Sequence, residues 1–176
     1  MYTIPNILTL SRLALLPVLI ALLYAGAAWG ALIIYIFAAI TDFLDGYLAR
    51  AMNSVSAFGT FLDPISDKIF VAVLLVVLVD TGALSGIWCI PVLVILAREF
   101  TVAGLREFLG SKDVQIPVTK LAKWKTTLQM LSLGLLIIGP AFTLALYGGQ
   151  IALLAAAAIT AHTGWLYLKS AWPHLQ

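Results

Sequence analysis

Four aspartates and one arginine fall between positions 42 and 67 of this chain, with Gly46, Ala49 and Gly59 spaced among them. The stretch reads Asp42-Phe-Leu-Asp45-Gly46-Tyr-Leu-Ala49-Arg50, then eight residues, then Gly59-Thr-Phe-Leu-Asp63-Pro-Ile-Ser-Asp67. It joins two very hydrophobic segments. Ionised groups inside a bilayer are costly, so clustered carboxylates there point to a functional site. Asp42 and Asp45 are spaced i,i+3 and Asp63 and Asp67 i,i+4, so each pair shares one face of a predicted helix. Two such faces meeting place four carboxylates around one small volume, where they repel unless cations sit among them. An all-oxygen set with no Cys or His nearby suits a hard divalent ion such as Mg²⁺ or Mn²⁺.

The elements that must carry these residues are hydrophobic. Hydrophobic residues make up 62% of the 176 positions, charged residues 10%, and mean hydropathy is +1.07. A soluble domain has about a quarter charged residues. The composition predicts an all-α membrane protein: a single integral membrane domain over 1–176 with six transmembrane helices, near 7–24, 31–48, 58–79, 87–109, 121–144 and 151–168. The expected separators are 25–30, Asp80-Thr-Gly-Ala, the polar segment 110–119 with Pro117, and Tyr147-Gly-Gly-Gln. The single cysteine, Cys89, excludes an internal disulfide.

With six spans, all ten basic residues fall on, or just inside, the side that holds both termini. The opposite loops carry only Asp80. The excess of Lys and Arg marks the basic side as cytoplasmic. Trp29 and Trp88 then lie at the outer interface, and Trp124, Trp165 and Trp172 near the inner one. The aspartates fall in the inner leaflet, open to cytosol. Gly46, Ala49 and Gly59 permit close helix approach and equally let a phosphate reach the backbone. Arg50 is suited to a two-pronged phosphate contact, or to a plain cytoplasmic anchor.

The pattern Asp42-x-x-Asp45-Gly46-x-x-Ala49-Arg50, eight residues, Gly59-x-x-x-Asp63-x-x-x-Asp67 resembles the full signature of the CDP-alcohol phosphatidyltransferase family, at every fixed position and with the family's spacing. The resemblance implies a six-helix membrane fold, a homodimer, and two divalent ions, Mg²⁺ with Mn²⁺ as an option, held by Asp42, Asp45, Asp63 and Asp67. It implies that Asp67 is also the general base for the acceptor hydroxyl. Gly46, Arg50 and Ser56 would contact the CDP part, with Ala49 and Gly59 packed against it. The implied reaction moves a phosphatidyl group from a CDP-linked lipid to an alcohol and releases CMP. Two metals neutralise a diphosphate and align the nucleophile, and a carboxylate in hydrogen-bond reach takes the proton. Direct displacement needs no covalent intermediate, and a phosphatidyl-enzyme step stays open.

The segment Ile4-Pro5-Asn6-Ile-Leu-Thr9-Leu-Ser-Arg12 resembles the lead into the first helix of family members. Asn6 and Thr9 would help hold the cytidine or its ribose, or Asn6 would simply cap the helix. Arg12 would meet phosphate or lipid head groups, or mark the cytoplasmic end of its span. Arg98, Lys120, Lys123 and Lys125 concentrate positive charge near the same opening. They form either a solvated face for anionic lipids or a pocket for a phosphorylated acceptor. These stretches are similar to the glycerophosphate branch of the family, the phosphatidylglycerophosphate synthases, although Ala122 stands where that branch usually has Gly. His162 reads as a helix-packing hydrogen bonder, His174 as solvated, and Asp80 as a helix terminus.

The expected activity is transfer from CDP-diacylglycerol to glycerol 3-phosphate, giving phosphatidylglycerophosphate and CMP for phospholipid biosynthesis, at the cytoplasmic face of a bacterial inner membrane. The partners are those two substrates and the bilayer, with no nucleic acid. Inositol phosphate, inositol or serine are the alternative acceptors. A divalent-cation transporter is the competing class, but it should carry ionisable positions through the full bilayer depth, and here they crowd at one face.

Overall fold

The computed structural model describes residues 4–51, 57–110, 112, 114 and 120–175; for 4–7, 43, 45–51, 57, 58, 60, 63, 120, 122 and 123 it describes the backbone alone. The described residues form six α-helices: α1 (Ile4–Tyr24), α2 (Ala28–Ala51), α3 (Ala57–Asp80), α4 (Cys89–Gly110), α5 (Lys120–Ile138) and α6 (Thr143–Ala171). No strand occurs among them. Short 3-10 turns precede α4 and follow α6.

The first four helices begin and end close to the expected apolar segments. The last break does not. Tyr147-Gly-Gly-Gln, expected as a separator, lies inside α6, and the chain turns at residues 139–142 instead. Proline explains the position. Pro140 has no amide hydrogen and cannot continue α5, and the Phe142 amide closes the turn by donating to the Ile138 carbonyl at 3.2 Å. Within this Gly-Gly pair, Gly149 serves packing. A Cβ on Gly149 would lie 2.8 Å from Leu136 Cγ and 3.0 Å from its amide nitrogen. The absent side chain therefore lets α6 lie directly on α5. Ser132 Oγ donates to the Gly149 carbonyl at 2.8 Å across the same contact.

Glycine also stops α1. Gly26 has φ +69°, a conformation that side chains disfavour. Its amide donates to the Leu23 carbonyl at 3.1 Å and the Ala27 amide to Leu22 at 2.9 Å, the paired C-terminal bonds of a Schellman motif. The chain thus reverses within a few residues into α2. Tyr24 Oη donates to Asp80 Oδ2 at 2.8 Å, joining the ends of α1 and α3 on that side. At the other end Lys112 Nζ, beyond α4, donates to the His174 carbonyl, beyond α6, at 3.1 Å. Successive helices therefore run up and down, and the far ends of α2, α4 and α6 meet the starts of α1, α3 and α5.

Every helix contributes to one core, with Leu19 on α1, Tyr35 on α2, Leu74 on α3, Ile95 on α4, Leu133 on α5 and Leu153 on α6. Tyr35 stacks on Phe70 at 6.1 Å between centroids and donates its hydroxyl to the Met130 carbonyl at 2.7 Å, tying α2 to α3 and α5. Large apolar side chains also cover the outside of all six helices, among them Val18, Phe37, Phe61, Leu93, Leu131 and Leu144. Two stretches, 86–110 and 143–174, are long and apolar enough to cross a membrane by length and composition, and shorter apolar helical stretches occupy 8–24, 28–42 and 124–138. We expect Gly149→Ala to lower stability by about 1–3 kcal/mol, the usual cost of overpacking. Thermal unfolding in detergent, followed by circular dichroism, checks this.

Candidate active site

Helices α1, α2 and α3 meet at Arg12. This side chain sits eight residues into an apolar helix and is buried, with 5% of its surface exposed. Nη1 forms ion pairs with Asp42 of α2 and Asp67 of α3, and Nη2 donates to Ser66 Oγ at 3.0 Å. The carboxylates are more open, 39% and 57% exposed. One side of the cluster is therefore sealed by the helices and the other faces outward. Helix geometry explains the meeting. Asp42 lies toward the end of α2 and Asp67 toward the start of α3, so the two antiparallel helices bring both to one level. A buried guanidinium left unpaired is expensive, so Arg12 draws both helices onto α1.

Asp45 lies one turn beyond Asp42 on α2, and Asp63 one turn before Asp67 on α3. Asn6, Gly46, Ala49, Arg50, Lys120 and Lys123 likewise lie on described helical backbone, and their side chains are outside the described residues. Ser56 is outside the described residues altogether. Thr9 is buried one turn before Arg12 on α1, and Gly59 is buried near the start of α3.

Asp67 also borders a cavity of about 410 Å³ between α3, α4 and α5. Its walls carry Lys68, Arg98, Glu99, Arg106 and Lys125. The expected cations Arg98 and Lys125 thus share one chamber with Asp67. Glu99 Oε1 accepts from Arg98 Nη1 at 3.1 Å and from Lys125 Nζ. Lys125 is buried although it is a lysine, and this ion pair accounts for that. Four long cations around one chamber suit a small anion.

Several of these contacts escaped the sequence reading. The sequence offered Arg12 as a partner of phosphate or lipid head groups or as the mark of its span's cytoplasmic end; the side chain is buried and pairs with Asp42 and Asp67. Its signal was a lone charge within an apolar run, next to Thr9 at helical spacing. Glu99 was visible only as an acid adjoining Arg98. His162, expected to pack between helices, is exposed on α6. Asp80 does end a helix, α3, and takes the Tyr24 hydroxyl bond.

The donor set fits a hard divalent cation. Carboxylates of adjacent helices already converge on one cationic group, and oxygen donors of this kind suit such an ion. Among the described residues no three His, Cys, Asp or Glu side chains come together. Asp42 and Asp67 are the two members of the acidic signature whose side chains are described.

Residues 2–163 match the family model for CDP-alcohol phosphatidyltransferase, and the chain belongs to that family. Members of the family depend on divalent metal. Among individual relatives, a protein of Rickettsia bellii is 43% identical over 95% of this chain and 94% of its own length. One from Pseudomonas fluorescens is 41% identical over 98% and 92%, and one from Cereibacter sphaeroides 38% identical over 99% and 98%. All three are named CDP-diacylglycerol–glycerol-3-phosphate 3-phosphatidyltransferase. The chain is thus an enzyme of the phosphatidyltransferase type. Its apolar helices and its family both point to a membrane protein.

Replacing Arg12 by Gln should lower stability by about 1–3 kcal/mol, because charged hydrogen bonds to two partly solvated carboxylates are lost. Turnover should fall on the order of 100-fold as the helices carrying the aspartates lose their common anchor. Thermal melting and CMP release, measured on the same preparation, check both.

Proposed function

We propose that this protein transfers the phosphatidyl group of CDP-diacylglycerol to glycerol 3-phosphate, forming phosphatidylglycerophosphate and CMP. The observation that carries the proposal is the position of Asp67. It belongs at once to the Arg12-centred carboxylate cluster and to the wall of a cation-rich cavity. A base placed between a nucleotide-lipid site and an anion-binding chamber is what this reaction needs. Relatives 38–44% identical over nearly the whole chain carry the corresponding name, which supports the same reading.

In this reading Asp42, Asp45, Asp63 and Asp67 hold two Mg²⁺ ions, with Mn²⁺ as a substitute. The bound ions would neutralise the diphosphate and align it for in-line attack. Gly46, Ala49, Arg50, Ser56 and Gly59 line the CDP part, with Asn6 and Thr9 toward the cytidine. Arg98, Lys120, Lys123 and Lys125 hold the acceptor phosphate. Asp67 takes the proton of the attacking hydroxyl as its oxygen bonds to the phosphorus that bears diacylglycerol. The bond from that phosphorus to the bridging oxygen breaks, and CMP leaves with the electron pair. A single direct displacement balances this step.

All six helices would cross the bilayer, with both termini and the site on the cytoplasmic side of a bacterial inner membrane. The helices are 19 to 29 residues long, and roughly 20 apolar residues span the hydrocarbon. Their exposed apolar surfaces support lipid contact on every helix. Exposed Trp29 at one end and Trp124, Trp165 and Trp172 at the other support two interfacial belts. A homodimer, as the family resemblance implies, completes the proposed assembly.

The test is CMP release by purified protein supplied with CDP-diacylglycerol, Mg²⁺ and a panel of glycerol 3-phosphate, serine, inositol and inositol phosphate. Release only with glycerol 3-phosphate is expected; a preference for another alcohol would replace this acceptor. EDTA should abolish turnover and added Mg²⁺ restore it. Asp67→Asn should reduce turnover by roughly 100-fold or more in a protein that still inserts and folds.

A further inference from the structure

Glu99 belongs neither to the acidic signature nor to the cations that the sequence offered for the acceptor. Its position gives it a task. The side chain is 17% exposed in the wall of the cavity, and its Oε1 is shared by Arg98 of the same helix and Lys125 of α5. Two cations drawn to one oxygen from different helices repel each other once that anion is gone. With Lys125 8% and Arg98 15% exposed, little water is present to screen them.

Arg98 is held at its other end as well. A Cβ on Gly164 of α6 would lie 2.7 Å from Arg98 Cγ, so the stem of the arginine rests on bare helix backbone. Stem and head are thus fixed by two different contacts. Arg98 Nε is buried and has no hydrogen-bond partner among the described residues, which leaves part of the guanidinium unsatisfied. Among the described residues, the ionisable side chains lining the cavity are Lys68, Arg98, Arg106 and Lys125 against Asp67 and Glu99. Cations outnumber carboxylates among these side chains, which favours an anionic ligand.

We propose that Glu99 is a positioning residue for the acceptor: it binds Arg98 and Lys125 into one fixed pair that receives the phosphate of a phosphomonoester alcohol. The inference rests on the acceptor reading given above. Glu99 touches neither the reacting phosphorus nor the attacking hydroxyl and acts through the two cations. A zwitterionic or uncharged alcohol would not use this pair.

The test compares the unmodified enzyme with Glu99→Gln, Lys125→Gln and the double variant. CMP release is measured against glycerol 3-phosphate at saturating CDP-diacylglycerol, and the reverse. Glu99→Gln should raise the KM for glycerol 3-phosphate about tenfold, the scale of a modest misplacement. The KM for CDP-diacylglycerol should stay within about twofold. The loss in the double variant should be smaller than the two single losses combined, because Glu99 works in part through that lysine. An unchanged or lower KM for the acceptor, an equal rise in both constants, or additive effects in the double variant would each overturn the proposal. Size-exclusion profile and circular dichroism verify folding. If Glu99→Gln fails to fold, Glu99→Asp, which keeps the charge but shortens the reach, should show the same selective rise to a smaller degree, and no rise would overturn the proposal. Should the unmodified enzyme prefer serine or inositol, the acceptor reading itself fails; should it use glycerol 3-phosphate while the variants behave normally, only the role of Glu99 falls.

Discussion

A buried guanidinium pairing with carboxylates from two other helices is the constraint around which this molecule is arranged. Arg12 has almost no access to water, and charge in such surroundings persists only when it is paired. Its ion pairs reach α2 through Asp42 and α3 through Asp67. Three helices are therefore fixed at one level of the bundle by electrostatics, whereas in the core they meet through apolar side chains such as Leu19, Tyr35 and Leu74. That level is also where the acidic signature lies. The same contact thus settles helix register and keeps acidic groups together that would otherwise separate.

The rest of the packing relies on missing side chains. In lipid, helices gain little from burying apolar surface against one another, and close approach through small residues matters more. Gly149 lets α6 lie on Leu136 of α5, Gly134 leaves room for the ring of Tyr35, and Gly164 receives the stem of Arg98. Fully buried alanines add to this on α2 at Ala31 and Ala38, and on α6 at Ala156. The third glycine contact carries a charged residue of the cavity, so helix packing and site construction are not separable on α6.

Much of this was legible in the sequence. The helical class followed from composition, and the ends of the first four helices from the apolar periodicity. The acidic signature located the convergence of α2 and α3, because i,i+3 and i,i+4 spacing carries its own geometry. Arg98 and Lys125, two of the four basic residues that the sequence grouped near the opening, line one cavity with Asp67. What could not be read depended on tertiary contact. The Gly-Gly pair in α6 has the look of a turn, and only the opposing Leu136 shows why a helix needs it. Arg12 looked interfacial, since linear distance gives no hint that residues 30 and 55 positions away are its partners. Glu99 was overlooked because an acid beside an arginine is ordinary until a lysine from another helix arrives at the same oxygen.

The position of α3 has one more consequence. One of its faces closes the Arg12 cluster with α1 and α2, and another closes the cation-lined chamber with α4 and α5. The molecule is thereby partitioned into two half-sites with a common wall. Within a protein family built this way, the chamber side can diversify toward new small molecules while the wall and its acidic partner helices stay constant. Novelty would then accumulate on α4 and α5 as changes of shape and charge, without rebuilding the half that faces Arg12.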